Sequence, residues 1–341
     1  MTALSLGSVC RLLALKANKA RLFACSGDFR RRKVRHWLWP VVRRVYSNVE
    51  YLGIQTSEGG CILAHTADRL MTVQLLKLGR YTSSNLPRAL ALLPRTPRPG
   101  WFLDVGANIG TETVSALMSG RFAHAIAIEP ESRNNRLLRA NLVINGLADR
   151  VTVYDVAASN ASGPAVLRLS ESNRGDHRVS PTGAPIDGHE AGEVVQTSRL
   201  DDLLRVGDVR PQDVALVWVD TQGYDGFVLD GARSLIEARI PFVIEFWPTA
   251  LRGSGGLETA LEIIEESFDI FFNLSAEEWR EPHSVRTIRG LASSLRGPEA
   301  SVDLMLGWDL ASAVPRHLPA MRPPADEEAS CRFPQQVRPR P

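Results

Sequence analysis

The chain has 341 residues, 44% of them hydrophobic and 23% charged, and carries a formal net charge of +2 at pH 7. That length and composition support a sizeable core and exclude a disordered or fibrous chain. Its four cysteines, Cys10, Cys25, Cys61 and Cys331, form no CxxC pair or matched spacing, which speaks against a zinc cluster or a disulfide framework and fits a reducing compartment.

Residues 1–44 read as a basic N-terminal arm. Eleven lysines and arginines between Arg11 and Arg44 face only Asp28, so the rest of the chain is net acidic. Basic residues interleaved with Trp37 and Trp39 suit weak contact with a membrane surface or with nucleic acid, or a solvated helix whose tryptophans pack on the main domain. No apolar run approaches the ~20 residues of a membrane-spanning helix, and a cytoplasmic protein without a transmembrane segment is expected. Residues 45–99 form a lead-in: VEYLGIQTSEGGCILA predicts a hairpin turning near Glu58, Gly59 and Gly60, and LPRALALL a helix stopped by PRTPRPG.

From Gly100 to Leu310 strands and helices alternate. WFLDV, AHAIAIEP and RVTVYDVAAS predict strands, separated by the helices TETVSALMSGR and SRNNRLLRANLVING. Such consecutive βα units make a parallel, doubly wound α/β sheet. AVLRLSES and EVVQTSRL then read as strands around a long irregular loop, followed by the short helix LDDLLRV. The alternation resumes with the strand DVALVWVD, a loop and helix over GYDGFVLDGARSLIEAR, the strand IPFVIEFWP, the helix LETALEIIEESF, and the closing strands DIFFNL and SVDLMLGW. Residues 311–341 are rich in proline and charge and are expected to be disordered.

Ligands of such sheets sit beyond the carboxyl ends of the strands. The turn after WFLDV carries Gly106, Asn108 and Gly110, with Asp104 just ahead. An acid there repels a pyrophosphate and attracts the ammonium of an amino acid, which favours S-adenosylmethionine over NAD. Glu129, ending the next strand, is placed to accept both hydroxyls of a ribose. Asp155 and Ala157 end the third strand, where an adenine would lie, although Asp155 equally suits a loop cap.

Together these segments resemble the FkbM-type methyltransferases. The resemblance rests on DVGANIG at 104–110, IEP at 128–130, Asn141, Asn145 and Gly146, SRLDDLL at 198–204, VDTQGYDGFVLDGA at 219–232 and PFVIEF at 241–246, in matching order over most of residues 50–310. It implies a class I S-adenosylmethionine-dependent methyltransferase fold, with seven strands of which the last is antiparallel, and methylation of hydroxyl oxygens on sugars, polyketides or other secondary metabolites. The cofactor site it implies comprises Asp104, Gly106, Asn108, Gly110 and Glu129, and Ala107 of the same turn is a further cofactor-binding candidate. The chain departs from the family after the fourth strand of the alternation: Gln222 stands where a glutamate is usual, and the later acid is the shorter Asp225.

For transfer to a hydroxyl, a general base is required. Asp220, at a strand end, is the first candidate and His177, on the long loop, the second; Asp225 and Glu245 are further candidates. The histidines are dispersed without ligand spacing, and no metal is expected. Three other functions remain compatible with the sequence: an RNA methyltransferase using the basic arm, a cofactor-binding scaffold without catalysis, and, with less support, an NAD-dependent oxidoreductase.

Overall fold

A computed structural model describes residues 49–308 apart from 57–58, 67, 69, 80–84, 95–99, 171–174, 181–188 and 191. The basic arm (1–44) and the tail (311–341), with the contacts and disorder expected of them, lie outside the described residues. The lead-in contains the expected hairpin, β1 (Tyr51–Gln55) and β2 (Cys61–His65), then helix α1 (Met71–Leu78), which sequence reasoning passed over, and α2 (Asn85–Leu92). Asp68 leads into α1 by accepting the amides of Leu70 and Met71 at 3.0 and 2.8 Å.

The alternation follows as β3 (Gly100–Val105), α3 (Thr111–Met118), β4 (Phe122–Ile128), α4 (Ser132–Ile144) and β5 (Val151–Tyr154). Here the expected third strand is cut short. The chain leaves the main sheet at Asp155, and β6 (Ala157–Ala158) joins a second sheet with β7 (Gly163–Ser170), β8 (Arg178–Ser180), β9 (His189–Glu190) and β10 (Val194–Ser198). In that sheet β10 runs parallel to β6 and antiparallel to β7.

After α5 (Leu200–Val206) and β11 (Val214–Val219), the expected loop and helix are a short turn followed by two helices, α6 (Asp225–Asp230) and α7 (Arg233–Glu237). They break at Gly231, whose α-carbon lies so close to the Ser159 carbonyl that a β-carbon would sit 2.0 Å from its oxygen. β12 (Phe242–Phe246), α8 (Pro248–Ser254), α9 (Leu257–Ser267), β13 (Ile270–Asn273), β14 (Pro282–Ser284), α10 (Ile288–Ser294) and β15 (Val302–Gly307) complete the described chain.

The main sheet has the order β5-β4-β3-β11-β12-β15-β13-β14. β3, β4, β5, β11 and β12 are mutually parallel, and β15, last in sequence, pairs antiparallel with both β12 and β13. This is the expected class I methyltransferase sheet with one correction: there are eight strands, because the three-residue β14 extends the edge beyond β13. The near-continuous burial of β3 and β11 reflects a parallel sheet covered on both faces. Two apolar clusters form those faces. Ile54, Ile62, Met71, Leu75, Leu86 and Leu92 of the lead-in share one cluster with Phe102, Leu138 and Trp218, so residues 49–94 and the main sheet have a common core.

Asn141 and Asn145 explain how an edge hairpin is held. Spaced one helical turn apart, Asn141 on α4 and Asn145 at its C-cap present side-chain amides to β2 as a neighbouring strand would. Asn141 Oδ1 accepts from Leu63 N at 2.7 Å and its Nδ2 donates to Leu63 O at 3.2 Å, while Asn145 does the same with Cys61 N and O at 2.8 and 2.7 Å. Asn141 Nδ2 also donates to Ile109 O at 2.8 Å, tying the hairpin to the turn after β3.

Candidate functional site

The loops after β3, β4 and β11 meet beyond the carboxyl ends of those strands, where the chain order reverses across β3. They enclose a cavity with about 830 Å³ of empty space, part of it open to solvent. The second sheet forms the facing wall through Leu167, Gly175, His177 and Val179, and α1 contributes Met71.

Asp104 is 1% exposed and accepts a hydrogen bond from the Thr113 hydroxyl of α3. Burial, with Asp220 nearby, pushes its carboxyl up to about 7, against the lowering effect of Thr113. Glu129 is 5% exposed; its two oxygens accept Asn108 N and Glu131 N, each at 2.8 Å. Desolvation outweighs those bonds and raises it to about 8. Each carboxylate oxygen retains a second lone pair for a ligand hydroxyl.

The glycines of the turn are required by close packing. At Gly106, φ is +84° and a β-carbon would lie 2.0 Å from Asp220 O; at Gly110, φ is +86° and a β-carbon would lie 2.5 Å from Leu138 Cδ1. The amides of the turn are also spent internally. Gly106 N and Ala107 N donate to Ile128 O at 2.9 and 3.0 Å, Asn108 N to Glu129, and Gly110 N to Ala107 O at 2.7 Å. Asn108 adopts φ +51°, and its buried Oδ1 has no hydrogen-bond partner.

Asp220 follows β11 and lines the cavity. Gln222 Nε2 donates to Asp220 Oδ1 at 2.6 Å and to Glu245 Oε2 on β12 at 3.0 Å. Burial raises both acids, with Asp303 repelling the charge on each; hydrogen bonds from Gln222 and Glu245 counter the rise at Asp220. Asp225 is fully buried, accepts Thr221 Oγ1 at 3.0 Å and Gly223 N at 3.2 Å, and is pushed up to about 7 by burial and by Asp220. Beside this group Asp176 pairs with Arg178 at 2.7 Å, whose guanidinium lies 4.6 Å from the Trp247 ring centroid.

Of the residues singled out in the sequence, Asp104, Gly106, Ala107, Asn108, Glu129, Ala157, His177 and Asp220 line the cavity together. Gly110 stands behind it, against α4. Asp155 lies outside the lining: its side chain is 66% exposed and is held on the surface by Arg139 at 2.6 Å and Asn135 at 3.0 Å. Met71, Trp218 and Tyr224 line the cavity unanticipated; each reads as an ordinary core residue in sequence, and only α1 and the strand register bring them here. Among the described residues no group of three or more histidines, cysteines or acids is arranged to hold a metal ion.

A family model described as the methyltransferase FkbM domain matches residues 104–281, slightly more than half of the chain. The chain belongs to the FkbM methyltransferase family. No curated protein matches it. Among solved structures, this family member is similar to an FkbM methyltransferase from Methylobacillus flagellatus at 18% identity and TM-score 0.37, over 61% of this chain and 43% of that one. The O-methyltransferase TomG of Streptomyces achromogenes, solved with S-adenosylmethionine, aligns at 12% identity and TM-score 0.34, over 65% of this chain and 77% of that one. A putative O-methyltransferase from Klebsiella pneumoniae aligns at 10% identity and TM-score 0.33, over 67% and 90% of the two chains. The family match begins at Asp104 and contains every residue that lines the cavity except Met71.

Proposed function

We propose that the chain is a cytoplasmic, S-adenosylmethionine-dependent methyltransferase acting on a hydroxyl oxygen of a small molecule, such as a sugar, a polyketide or another secondary metabolite. Family membership supports methyl transfer. The cavity's charge supports the cofactor: among the described residues its lining holds four acids, Asp104, Glu112, Glu129 and Asp220, and no lysine or arginine. A dinucleotide pyrophosphate would meet carboxylates there, with the amides of the turn already engaged. A sulfonium and an ammonium suit it.

The residues present fit the group. Asp104 would face the ammonium, Glu129 the ribose hydroxyls and Ala157 the adenine, and the unpartnered Asn108 Oδ1 offers one further acceptor. When bound, S-adenosylmethionine supplies an electrophilic methyl group. The protein's part is to hold an acceptor in line and to take its proton. Asp220 is the base this geometry favours. His177 Nδ1 accepts from Ser170 N at 3.1 Å, so its neutral ring carries the proton on Nε2 and is set to donate, not to receive. No helix among the described residues is long and apolar enough to cross a membrane.

Calorimetric titration with S-adenosylhomocysteine and, separately, NAD tests the reading, with Asp104→Ala and Glu129→Ala as controls. Saturable binding of the former, lost in both folded variants, is expected. Binding of NAD alone would overturn the proposal.

A further inference from the structure

Gln222 links two acids that end neighbouring parallel strands. Asp220 directly follows Val219, which pairs with Ile244 of β12, and Glu245 is the next residue on that strand. The side-chain nitrogen of Gln222 has two hydrogens and spends one on each acid. Asp220 lines the cavity and Glu245 does not. The other oxygen of Glu245 meets Ser301 Oγ at 3.0 Å, a hydroxyl able to accept as well as donate.

The groups facing this pair are themselves acidic. Asp303 of β15 stands in register opposite Glu245. Asp225 from α6 acts on both acids, and Asp176, just before β8, and Asp104 of β3 act on Asp220. Two buried carboxylates this close cannot both stay ionised, and one retains a proton.

We propose that Gln222 is a positioning residue that assigns the retained proton to Glu245 and leaves Asp220 ionised toward the cavity. Its bond to Asp220 is the shorter of the two, as suits a charged acceptor. A protonated Glu245 adds a second hydrogen bond to Asp220, and its own charge is opposed by burial and by Asp220, Asp225 and Asp303. For catalysis the inference rests on the reading of Asp220 as the base: only an ionised Asp220 can receive the acceptor's proton. A glutamate at 222 would replace the shared donor with a third acid and force the group to take up further protons.

The test is a carboxyl-carbon NMR titration of the full-length, cofactor-free protein between about pH 5 and pH 10. Aspartate and glutamate are labelled separately, and signals are assigned with Asp220→Asn and Glu245→Gln. In the native protein Glu245 should titrate above Asp220. In Gln222→Glu and Gln222→Ala the Asp220 midpoint should rise by about one pH unit, the worth of a hydrogen bond to a charged group. An Asp220 that holds the proton near neutral pH, or midpoints unmoved by either substitution, would overturn the inference. Should both variants misfold, the native titration order still decides against it if Asp220 is the protonated member. The readout requires no methyl transfer, so failure of Asp220 as the base is distinguished separately, by Asp220→Asn that binds S-adenosylhomocysteine normally and keeps its turnover.

Discussion

Replacing Asn141 by alanine should cost far more than a typical polar substitution on a helix. Asn141 is 0% exposed, and its side chain satisfies three backbone groups: Leu63 N, Leu63 O and Ile109 O. Alanine leaves the buried Ile109 O, and the partly buried N and O of Leu63, without partners. With about 1 kcal/mol for the buried group and about half that for each partly buried one, the total is about 2 kcal/mol, which lowers the melting temperature by roughly 4–8 °C for a domain of this size. Asn145 likewise bonds Cys61 N and O, and also donates to Asn141 O at 2.7 Å, but it is only half-buried and water can replace it; Asn145→Ala should cost about 1 kcal/mol. Urea and thermal unfolding of both variants provide the comparison. Because Ile109 lies in the turn after β3, beside the proposed cofactor site, Asn141→Ala should also weaken S-adenosylhomocysteine binding more than Asn145→Ala does. If Asn141→Ala loses less than about 0.5 kcal/mol, or no more than Asn145→Ala, the side-chain ladder does not hold the hairpin.

Gly106→Ala drives a β-carbon to 2.0 Å from Asp220 O at φ +84° and should destabilise by more than the ~1–2 kcal/mol of a left-handed alanine alone; a urea midpoint close to that of the native protein would contradict this close approach. Asp155→Ala, at an exposed ion pair outside the cavity, should leave S-adenosylhomocysteine affinity within about twofold and stability within about 1 kcal/mol, and a large loss of binding would place Asp155 in the site after all. Asp104 and Asp225 near 7 and Glu129 near 8 keep their protons in the folded, ligand-free protein while the unfolded chain has released them. Glu245, pushed up to about 9, adds to this at higher pH, so stability should fall as pH rises from about 5 to about 9 and level off above, and a urea midpoint that climbs over this interval refutes the assignment. Binding of cationic S-adenosylmethionine should release protons near neutral pH, seen as different calorimetric heats in buffers of different ionisation enthalpy, with affinity rising up to about tenfold per pH unit for each proton released; identical heats would show that the acids are already ionised.

Much of this protein is written in local pattern. The switch from lead-in to alternating strands and helices at Gly100 follows from near-continuous apolar runs separated by helical periods, and those runs form strands because a parallel sheet is buried on both faces. Acids and glycines at strand ends also announce themselves, and Asp104, Glu129 and Asp220 converge because parallel strands bring all their carboxyl ends to one side of the sheet. Only the tertiary structure decided what those residues do there. Gly106, which lines the cavity, and Gly110, which stands behind it, make room for Asp220 and Leu138 from segments distant in sequence. Asp155 departs from the site because the chain leaves the sheet after Tyr154, a step set by pairing between β6 and β10 and invisible in the run RVTVYDVAAS. Likewise Gln222 reads as a lost charge along the chain, and becomes the shared donor between two acids only when β11 and β12 lie side by side. Periodicity records how each segment meets the core, whereas proton order and backbone clearance depend on which distant segments become neighbours.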